Sequence, residues 1–332
     1  MTGLELELFL ICAPGLESVL AEEARDLSFT VGDTVPGGVT LRGDWDAVWR
    51  ANLELRGATR VLVRLGSFPV FHLAQLDKRA RKFPWGDVLP SDVPVRVDVT
   101  CRKSKIYHAG AATQRIETAI AETLGAPIDP KATLVLKVRI ESNLCTISLD
   151  TSGDSLHRRG HKQATGKAPM RETLAALFLR ACGYRGDEPV LDPMCGSGTF
   201  PIEAAEIAAG MQAGRSRGFA FEEFANFDAT RRAGMRRDVT ASGPVRFHGS
   251  DRDAGAVANA QANADRAGVT AMTHFRHAAV SDLTRPDGPT GLVIGNPPYG
   301  GAVWHKKIPF APCGPPGQVL KRGVFGGGLG LR

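Results

Sequence analysis

Short runs of alternating hydrophobic and polar residues dominate the first part of the chain. Leu4–Ile11 alternates leucine with glutamate, which is the pattern of a half-buried strand, and leucines and valines at helical spacing follow the Pro14-Gly15 turn. A short strand, a helix that Asp44 can cap and a strand at Val61–Leu65 come next. Over residues 1–68 this order is close to βαββαβ, so we predict a ferredoxin-like domain there.

Residues 69–150 predict a second α+β unit. Valine occupies every second position from Val93 to Val99, which indicates a strand, and a helix is expected to end at Leu124. Two further strands, at Leu134–Ile140 and Cys145–Leu149, flank a short turn and are expected to form a hairpin.

The last part of the chain carries two strand-turn motifs. In the first, Val190–Leu191 runs into Asp192 and then into Gly196-Ser197-Gly198 before a helix-forming run. Such a turn lets the backbone approach a ligand and presents free N–H groups to an anion. The Gly-Lys-Ser/Thr of a P-loop does not follow, and Pro201 stands where a dinucleotide fingerprint needs glycine. For this motif alone, a βα turn without a ligand is an equal alternative.

The second motif is Gly291–Gly300, GLVIGNPPYG, an apolar strand that ends in Asn296-Pro297-Pro298-Tyr299. Together the two motifs resemble those of class I S-adenosylmethionine-dependent methyltransferases that methylate amino groups. The resemblance implies an α/β fold in which residues 188–300 form a doubly wound, Rossmann-like catalytic core. It also implies S-adenosyl-L-methionine as the cofactor.

The resemblance gives particular acids a role. Asp251 would accept hydrogen bonds from the ribose hydroxyls of the cofactor, Asp282 from its adenine amino group, and Asp192 would lie beside its methionine end. A helix cap is the alternative for each acid, although Asp253 looks the better cap for the helix that reaches Gly268. The whole expected cofactor set is Asp192, Pro193, Cys195, Gly196, Gly198, Thr199, Asp251, Asp282 and Asn296.

The Asn-Pro-Pro-Tyr motif is expected to carry the chemistry. The Asn296 side-chain oxygen and the Pro297 carbonyl would each accept one N–H of an exocyclic amine, which turns the amine lone pair toward the methyl carbon. Tyr299 would stack on the extruded base. Cys195 could be a nucleophile, but no His/Asp constellation lies near it in sequence. We therefore interpret Cys195 as a small residue that fills a tight turn.

The middle of the chain is basic. Residues 61–190 carry 20 basic and 13 acidic side chains, whereas residues 1–60 carry 5 and 10. The predicted strand at 93–101 leads into a Ser-Lys-Ile-Tyr-His stretch that resembles the THUMP domain of RNA-modifying enzymes, so residues 69–150 are expected to bind RNA. A solvated basic face with packed aromatics is the alternative. The expected RNA contacts are Arg102, Lys103, Lys105, Tyr107, His108, Arg159 and Lys162.

Residues 151–187 are interpreted as a linker and the first helix of the catalytic part. Residues 156–179 resemble the segment that leads into the catalytic domain of THUMP-bearing guanine-N2 methyltransferases, although His161-Lys162 replace an aromatic-Arg pair. Residues 215–222 resemble an insertion of the rRNA enzymes, with a surface loop of no role as the alternative. The resemblance implies RNA as the partner, with rRNA favoured over tRNA, and N2 of a guanosine in 23S rRNA as the target.

Three other functions stay open. One is guanine-N2 methylation of tRNA. Another is adenine-N6 methylation of DNA, which shares Asn-Pro-Pro-Tyr but does not account for the THUMP-like region. The third is an RNA-binding protein with an inactive, truncated catalytic domain. Residues 301–332 favour this last reading because 12 of them are glycine or proline, so we expect an irregular tail and a catalytic domain that lacks its last strands.

The cysteines and the N-terminal sequence indicate the cellular compartment of the protein. Six cysteines are scattered without a Cys-x-x-Cys pair, which argues against a zinc site and against a disulfide framework. The sequence begins without a basic, apolar signal peptide and carries no long apolar run. We therefore expect a cytoplasmic protein with reduced thiols, without a metal ion and without a membrane partner.

Overall fold

The computed structural model describes residues 5–163, 169–224 and 226–296, and the chain divides into two compact units. The first unit comprises Met1–Leu156 and Gly218–Met235, and the second comprises His157–Arg217 and Arg236–Arg332. The predictions for Pro297, Tyr299 and the tail lie outside the described residues. In the described ranges, no helix has both the length and the apolar composition of a membrane span.

The first unit opens with the predicted ferredoxin-like arrangement. Its elements are β1 (Leu6–Ile11), α1 (Glu17–Asp26), β2 (Thr30–Val35), β3 (Gly38–Gly43), α2 (Trp45–Glu54) and β4 (Arg60–Pro69). Asp44 caps α2 as predicted, since its carboxylate accepts a hydrogen bond from the Ala47 N–H at 3.1 Å. The predicted domain boundary after residue 68 falls inside β4.

The other elements of the N-terminal region complete one continuous sheet. They are α3 (Leu73–Arg81), β5 (Val95–Arg102), α4 (Ala109–Leu124), β6 (Leu134–Glu141) and β7 (Leu144–Asp150). The strand order is β2-β3-β1-β4-β7-β6-β5, and β4 pairs antiparallel with β7. The two predicted N-terminal domains therefore share a seven-stranded sheet. The sequence pattern did not predict α3, which buries only Leu76 and Ala80 and so shows a weak apolar period.

Strand alternation gives this sheet two different faces. On one face, alternate apolar residues such as Leu10, Val63 and Ile147 are fully buried, as expected where a sheet packs under helices. On the other face, the alternate positions carry polar or half-exposed residues such as Arg64 and Lys137. We call this second side the open face.

The second unit contains a parallel α/β sheet, in agreement with the predicted Rossmann-like domain. The elements after β7 are α5 (Glu172–Ala181), β8 (Val190–Asp192), α6 (Thr199–Ala208), α7 (Ala229–Met235), β9 (Phe247–Asp251), α8 (Ala254–Ala267), β10 (Thr273–His277) and β11 (Leu292–Val293), of which α7 belongs to the first unit. The strand order is β10-β9-β8-β11. Phe200, Phe247 and Ile294 lie in its hydrophobic core.

The segment Gly218–Met235, which we call the strap, packs within the first unit. The Phe221 ring stacks on Trp49 of α2 with their centroids 6.0 Å apart, and on Phe219 at 5.0 Å. The Phe221 N–H donates to the Thr151 carbonyl at 3.1 Å. The alternative of a surface loop with no role is therefore wrong, because the strap supplies part of the core of the first unit.

Phe221→Ala is expected to destabilise the first unit by about 3–5 kcal/mol, since it removes a fully buried ring between two aromatic neighbours. Urea unfolding followed by tryptophan fluorescence measures this change. Glu223→Ala, in the same strap but exposed, is the matched control and should stay within about 0.5 kcal/mol of the parent. Equal stabilities for the two variants would show that the strap is not part of this core.

Candidate active site

Four polar side chains follow the four parallel strands of the second unit. Asp192 ends β8, Asp251 ends β9, Asp282 follows β10 and Asn296 follows β11. All neighbouring strands pair in parallel. Asp192 of β8 lies opposite Gly249 of β9, and β11 pairs with β8 on its other side. The carboxyl ends of all four strands therefore meet at one edge, where open α/β sheets bind their ligands.

The loop after β8 is tied to the end of β9. The Gly196 N–H donates to the Asp251 carboxylate at 2.9 Å, and the Cys195 N–H donates to the Ser250 carbonyl at 2.9 Å. The Met194 N–H turns back to the Asp192 carboxylate at 3.0 Å. These bonds fix the backbone of the loop directly above the strand ends.

Glycine is required at two positions of this loop. Gly196 and Gly198 have φ angles of 53° and 83°, in the left-handed region. A Cβ on Gly198 would lie 3.0 Å from the Ala260 Cβ, which explains how closely α6 begins beside α8. In the described part of the chain, no atom other than those of Gly196 and its two chain neighbours lies within 4 Å of a Cβ built on Gly196. The backbone at Gly196 is therefore the part of the loop that a ligand can approach.

Asn263 of α8 is a further support of the loop that sequence reasoning missed. Its fully buried amide donates to the Ser197 carbonyl at 3.0 Å. An asparagine inside a helix carries no motif of its own, and only its position on the buried face of α8 could have indicated this contact. The same helix begins at Asp253, which accepts from the Gly255 N–H at 2.7 Å and is the predicted cap.

Asp251 is oriented by backbone donors on both oxygens. Besides the bond from Gly196, its second oxygen accepts from the Asp253 N–H at 3.0 Å. An ionised carboxylate offers about four acceptor sites, so the half-buried Asp251 can still accept from two hydroxyl groups. Asp282 is exposed and accepts from the Ser281 hydroxyl at 2.9 Å, in a short 3₁₀ helix after β10.

The end of β11 passes against the Asp192 loop. The Ile294 N–H donates to the Leu191 carbonyl at 3.0 Å. A Cβ on Gly295 would lie 3.2 Å from the Asp192 carboxylate and 3.6 Å from the Pro193 ring, so the backbone passes close to both groups and a side chain here would press on Asp192. The next residue is the half-buried Asn296. It therefore follows a backbone segment that lies against the loop with the predicted cofactor residues.

Burial shifts the titration of two groups in the loop. It raises the pKa of the fully buried Asp192 to about 7; the Met194 N–H opposes this shift and the Asp251 charge adds to it. Burial also raises the pKa of the Cys195 thiol well above its usual range, and the two acids raise it further. A thiol held protonated is a poor nucleophile, which supports the interpretation of Cys195 as a small residue in a tight turn.

Lys162 supports the loop from the side of α6. Its ammonium donates to the Thr199 hydroxyl at 2.9 Å and to the Met170 carbonyl at 2.5 Å, and it lies 3.5 Å from the Glu172 carboxylate. Thr199 is the first residue of α6 and follows Gly198 directly. Burial lowers the pKa of Lys162, and the Glu172 charge opposes that shift.

The prediction that Arg159 and Lys162 contact RNA is corrected by these surroundings. The Arg159 guanidinium is 2% exposed and pairs with Glu203 at 3.2 Å, while the Lys162 side chain is also buried. A phosphate would have to break both buried pairs to reach them. The sequence showed basic residues in a linker, but it gave no signal that Arg159 pairs with Glu203 of α6 or that Lys162 pairs with Glu172 at the start of α5.

The other predicted RNA residues lie together in the first unit, around the loop after β5. Tyr107 is 85% exposed, and the Lys105 ammonium lies 5.4 Å from the centre of the Phe71 ring. Lys103 has a φ of 46° at the strand end. The His108 ring accepts from the Ala111 N–H at 3.1 Å, so this side chain caps α4.

Asp192→Asn is expected to remove part of the pH dependence of stability. The folded pKa of Asp192 lies above its unfolded value, so the folded state binds the extra proton and the free energy of unfolding falls as pH rises from about 4 to about 7. The slope from this group is at most about 1.4 kcal/mol per pH unit. Urea unfolding of both proteins across that range measures it. Parallel curves for parent and variant would contradict the assignment.

The family comparisons match two parts of the chain. Residues 159–308 match the family described as UPF0020, RMKL-like, methyltransferase domain. Residues 7–62 match the RlmL ferredoxin-like domain. The two matches coincide with the catalytic part and with the first elements of the N-terminal unit.

A curated relative extends the similarity over most of the chain. The ribosomal RNA large subunit methyltransferase K/L of Chromohalobacter salexigens is 35% identical over 318 residues, which is 89% of this chain and 43% of that protein. The chain therefore spans less than half the length of this relative.

Two solved structures share the fold. A predicted N6-adenine-specific DNA methylase from Listeria monocytogenes superposes with a TM-score of 0.83 at 32% identity, over 90% of this chain and 81% of that one. A putative methyltransferase complexed with SAH gives a TM-score of 0.79 at 27% identity, over 92% and 84%. Both the sequence matches and the shared fold lead to one assignment: the chain belongs to the UPF0020 family of RMKL-like methyltransferases.

Proposed function

We propose that this chain transfers a methyl group from S-adenosylmethionine to an exocyclic amino group of RNA, and specifically to N2 of a guanosine in 23S rRNA. The observation that carries the proposal is the Gly-rich loop, whose Gly196 N–H is hydrogen-bonded to Asp251. Asn296 follows Gly295, which lies against the same loop. The choice of rRNA is supported by the Chromohalobacter relative, whose name specifies large-subunit rRNA. An rRNA substrate also fits a cytoplasmic protein.

The loop fits S-adenosylmethionine, and a relative was solved with the demethylated product, SAH. The approachable backbone at Gly196 and the N-terminal end of α6 suit the carboxylate of the methionine part. Asp251 keeps acceptor sites for the ribose hydroxyls, and the exposed Asp282 is placed for the adenine amino group. When bound, the cofactor would supply an electrophilic methyl group, and Asp192 would help to hold its methionine part.

Asn296 would orient the amine that receives the methyl group. An exocyclic amine is a weak nucleophile because its lone pair is delocalised into the ring. An amide oxygen that follows shortly after β11 could accept one N–H and turn that lone pair toward the methyl carbon. The proton leaves after the nitrogen becomes cationic, so positioning rather than a strong base supplies most of the rate, for which about 7–11 kcal/mol is attainable.

The loop after β5 is the proposed RNA contact of the THUMP-like region. Arg102, Lys103 and Lys105 lie at the strand end, where their charges can reach phosphates. The highly exposed Tyr107 offers a ring on which a base can stack.

DNA adenine-N6 methylation is the second candidate, since the Listeria relative is described as a predicted N6-adenine-specific DNA methylase. One experiment separates the candidates. The purified chain is incubated with labelled S-adenosylmethionine and unmethylated 23S rRNA, tRNA or DNA, and the products are digested and analysed by nucleoside mass spectrometry. The proposal expects N2-methylguanosine from 23S rRNA. N6-methyladenosine in DNA, or a product from tRNA alone, would overturn it.

Asn296→Ala is expected to reduce the rate of methyl transfer by about 10²-fold or more, because it removes one preorganised polar contact to the reacting amine. Because Asn296 also belongs to the expected cofactor set, cofactor affinity is measured by calorimetry and should fall much less than the rate. Asn259→Ala, the same chemical change at a half-buried position on α8, is the matched control and should keep the parent rate. Transfer by Asn296→Ala at the parent rate would exclude this residue from the mechanism.

Lys162→Met is expected to lower the affinity for S-adenosylmethionine by about tenfold, the order of one hydrogen bond, because it frees the start of α6. Lys162→Arg should recover part of that loss. Thr199→Val supplies a double-mutant cycle: if Lys162 acts through this hydroxyl, the two losses will not add. Additive losses in calorimetry would show that Lys162 does not act through Thr199.

A further inference from the structure

The open face of the seven-stranded sheet forms a groove with a volume of about 1500 Å³. It is lined by side chains of β1, β4, β5, β6 and β7, all within the first unit. Phe9 and Leu62 lie on its floor, while Ser148 and Thr146 add hydroxyl groups. The groove is thus a broad amphipathic surface rather than an enclosed small-molecule pocket.

The charges that line the groove are mainly positive. The lining contains two acids, Asp98 and Glu141, and five bases, Arg60, Arg64, Arg102, Lys137 and Arg139. Two of these bases also pair with acids outside the lining, Arg60 with Asp150 and Arg64 with Glu7. The Arg102 and Arg139 side chains are 66% and 55% exposed. An excess of exposed positive charge in a groove attracts polyanions.

The acids on β5 and β6 are each shared between two cations. Asp98 lies 2.5 Å from the Lys137 ammonium and 3.4 Å from the Arg96 guanidinium. Although burial alone would raise it, Lys137, Arg96 and Arg60 hold the pKa of Asp98 below its ordinary value.

Glu141 is shared in the same way. It lies 2.5 Å from Arg139 and 3.8 Å from Arg102. Three of these four cations, Lys137, Arg102 and Arg139, line the groove. Together with Arg96 on β5 they face two carboxylates, which leaves two positive charges for a phosphate to neutralise. Exposed ion pairs contribute little stability, so a polyanion can compete for such cations at low cost.

The positions of the cations follow the strand geometry. Lys137 and Arg139 occupy successive open-face positions of β6, about 6.6 Å apart along the strand. On β7 they face Ser148 and Thr146, respectively. Each cation therefore stands next to a hydroxyl donor, a combination that suits phosphate oxygens and sugars.

The groove offers little for reading bases. The Phe9 ring is covered by the Arg64 guanidinium, whose centre lies 4.5 Å from the ring centroid. Arg102 belongs both to this groove and to the loop that carries the exposed Tyr107, so the two surfaces are continuous. Side chains that can position an RNA strand through its phosphates thus lie in the groove. The Tyr107 ring, which can stack on a base, lies at the end of the groove.

We propose that the open face binds the phosphodiester backbone of the substrate RNA without base specificity, as an extension of the contact at the loop after β5. This inference rests on the proposed function, since it requires that the chain binds RNA. It adds a surface of Lys137, Arg139 and Arg64 that holds the RNA while the loop engages its bases.

The test is the salt dependence of RNA binding by the full chain. The probe is a fluorescently labelled, unmethylated 23S rRNA fragment, and the variant is Lys137→Met with Arg139→Gln. The logarithm of the binding constant is plotted against the logarithm of the salt concentration. The magnitude of the slope should fall by about 0.7–0.9 for each phosphate contact removed. The control, Lys78→Met with Arg79→Gln on exposed positions of α3, makes the same charge change away from the groove. It should keep the parent slope. Arg139→Gln alone repeats the test if the pair is unstable, and it should lose the slope of one phosphate contact.

The outcomes separate this inference from the proposed function. A parent chain that does not bind the RNA rejects both. A parent that binds, with a slope that falls for Lys103→Met with Lys105→Met but not for the groove variant, rejects the groove alone. A groove variant that leaves the slope unchanged while abolishing dimers in sedimentation would show that the face binds a second copy instead. A loss of slope in the groove variant as well as in the loop variant, with the parent slope kept by the α3 control, supports the proposal.

Discussion

The candidate site depends on one link, the hydrogen bond from the Gly196 N–H to the Asp251 carboxylate. It joins the loop after β8 to the end of β9, and the bond from Cys195 to Ser250 runs beside it. Because Asp251 is held by backbone donors, its remaining acceptor sites point in fixed directions. The register of β8 on β9 sets where the two ends meet, so a shift by one residue would separate the loop from its acid.

Buried charges hold the other side of the loop. Arg159 with Glu203, and Lys162 with Glu172, lie where water does not compensate them. Such pairs contribute little net stability, but removal of one partner typically costs about 3–5 kcal/mol, since a charge is left buried and unpaired. Their arrangement specifies one position for the start of α6. Asn263 does the same through the carbonyl of Ser197. The backbone that would face the cofactor is thus fixed from three directions.

Local signals explain which features the sequence predicted. Asp44 and Asp253 were predicted as caps because a cap needs only a side chain and the next three residues. The turn at Ser142-Asn143, with φ angles of 49° and 64°, is likewise a local preference. The acids were identified because each follows a predicted strand, and their roles came from the family resemblance. By contrast, the pairing of β4 with β7, the strap on α2 and the burial of Lys162 depend on residues far apart in the chain, and no local pattern encodes them.

The merged sheet has a consequence for recognition. The sequence predicted a ferredoxin-like domain and a THUMP-like domain, which as separate bodies could move against each other. The antiparallel pairing of β4 with β7 instead joins them by a ladder from Leu62 to Pro69. Arg64 on β4 and Lys137 on β6 consequently keep a fixed separation, set by strand spacings of about 4.8 Å. When a polyanion contacts both residues, no motion between the two domains has to be frozen. The free-energy cost of ordering the protein on binding is therefore smaller.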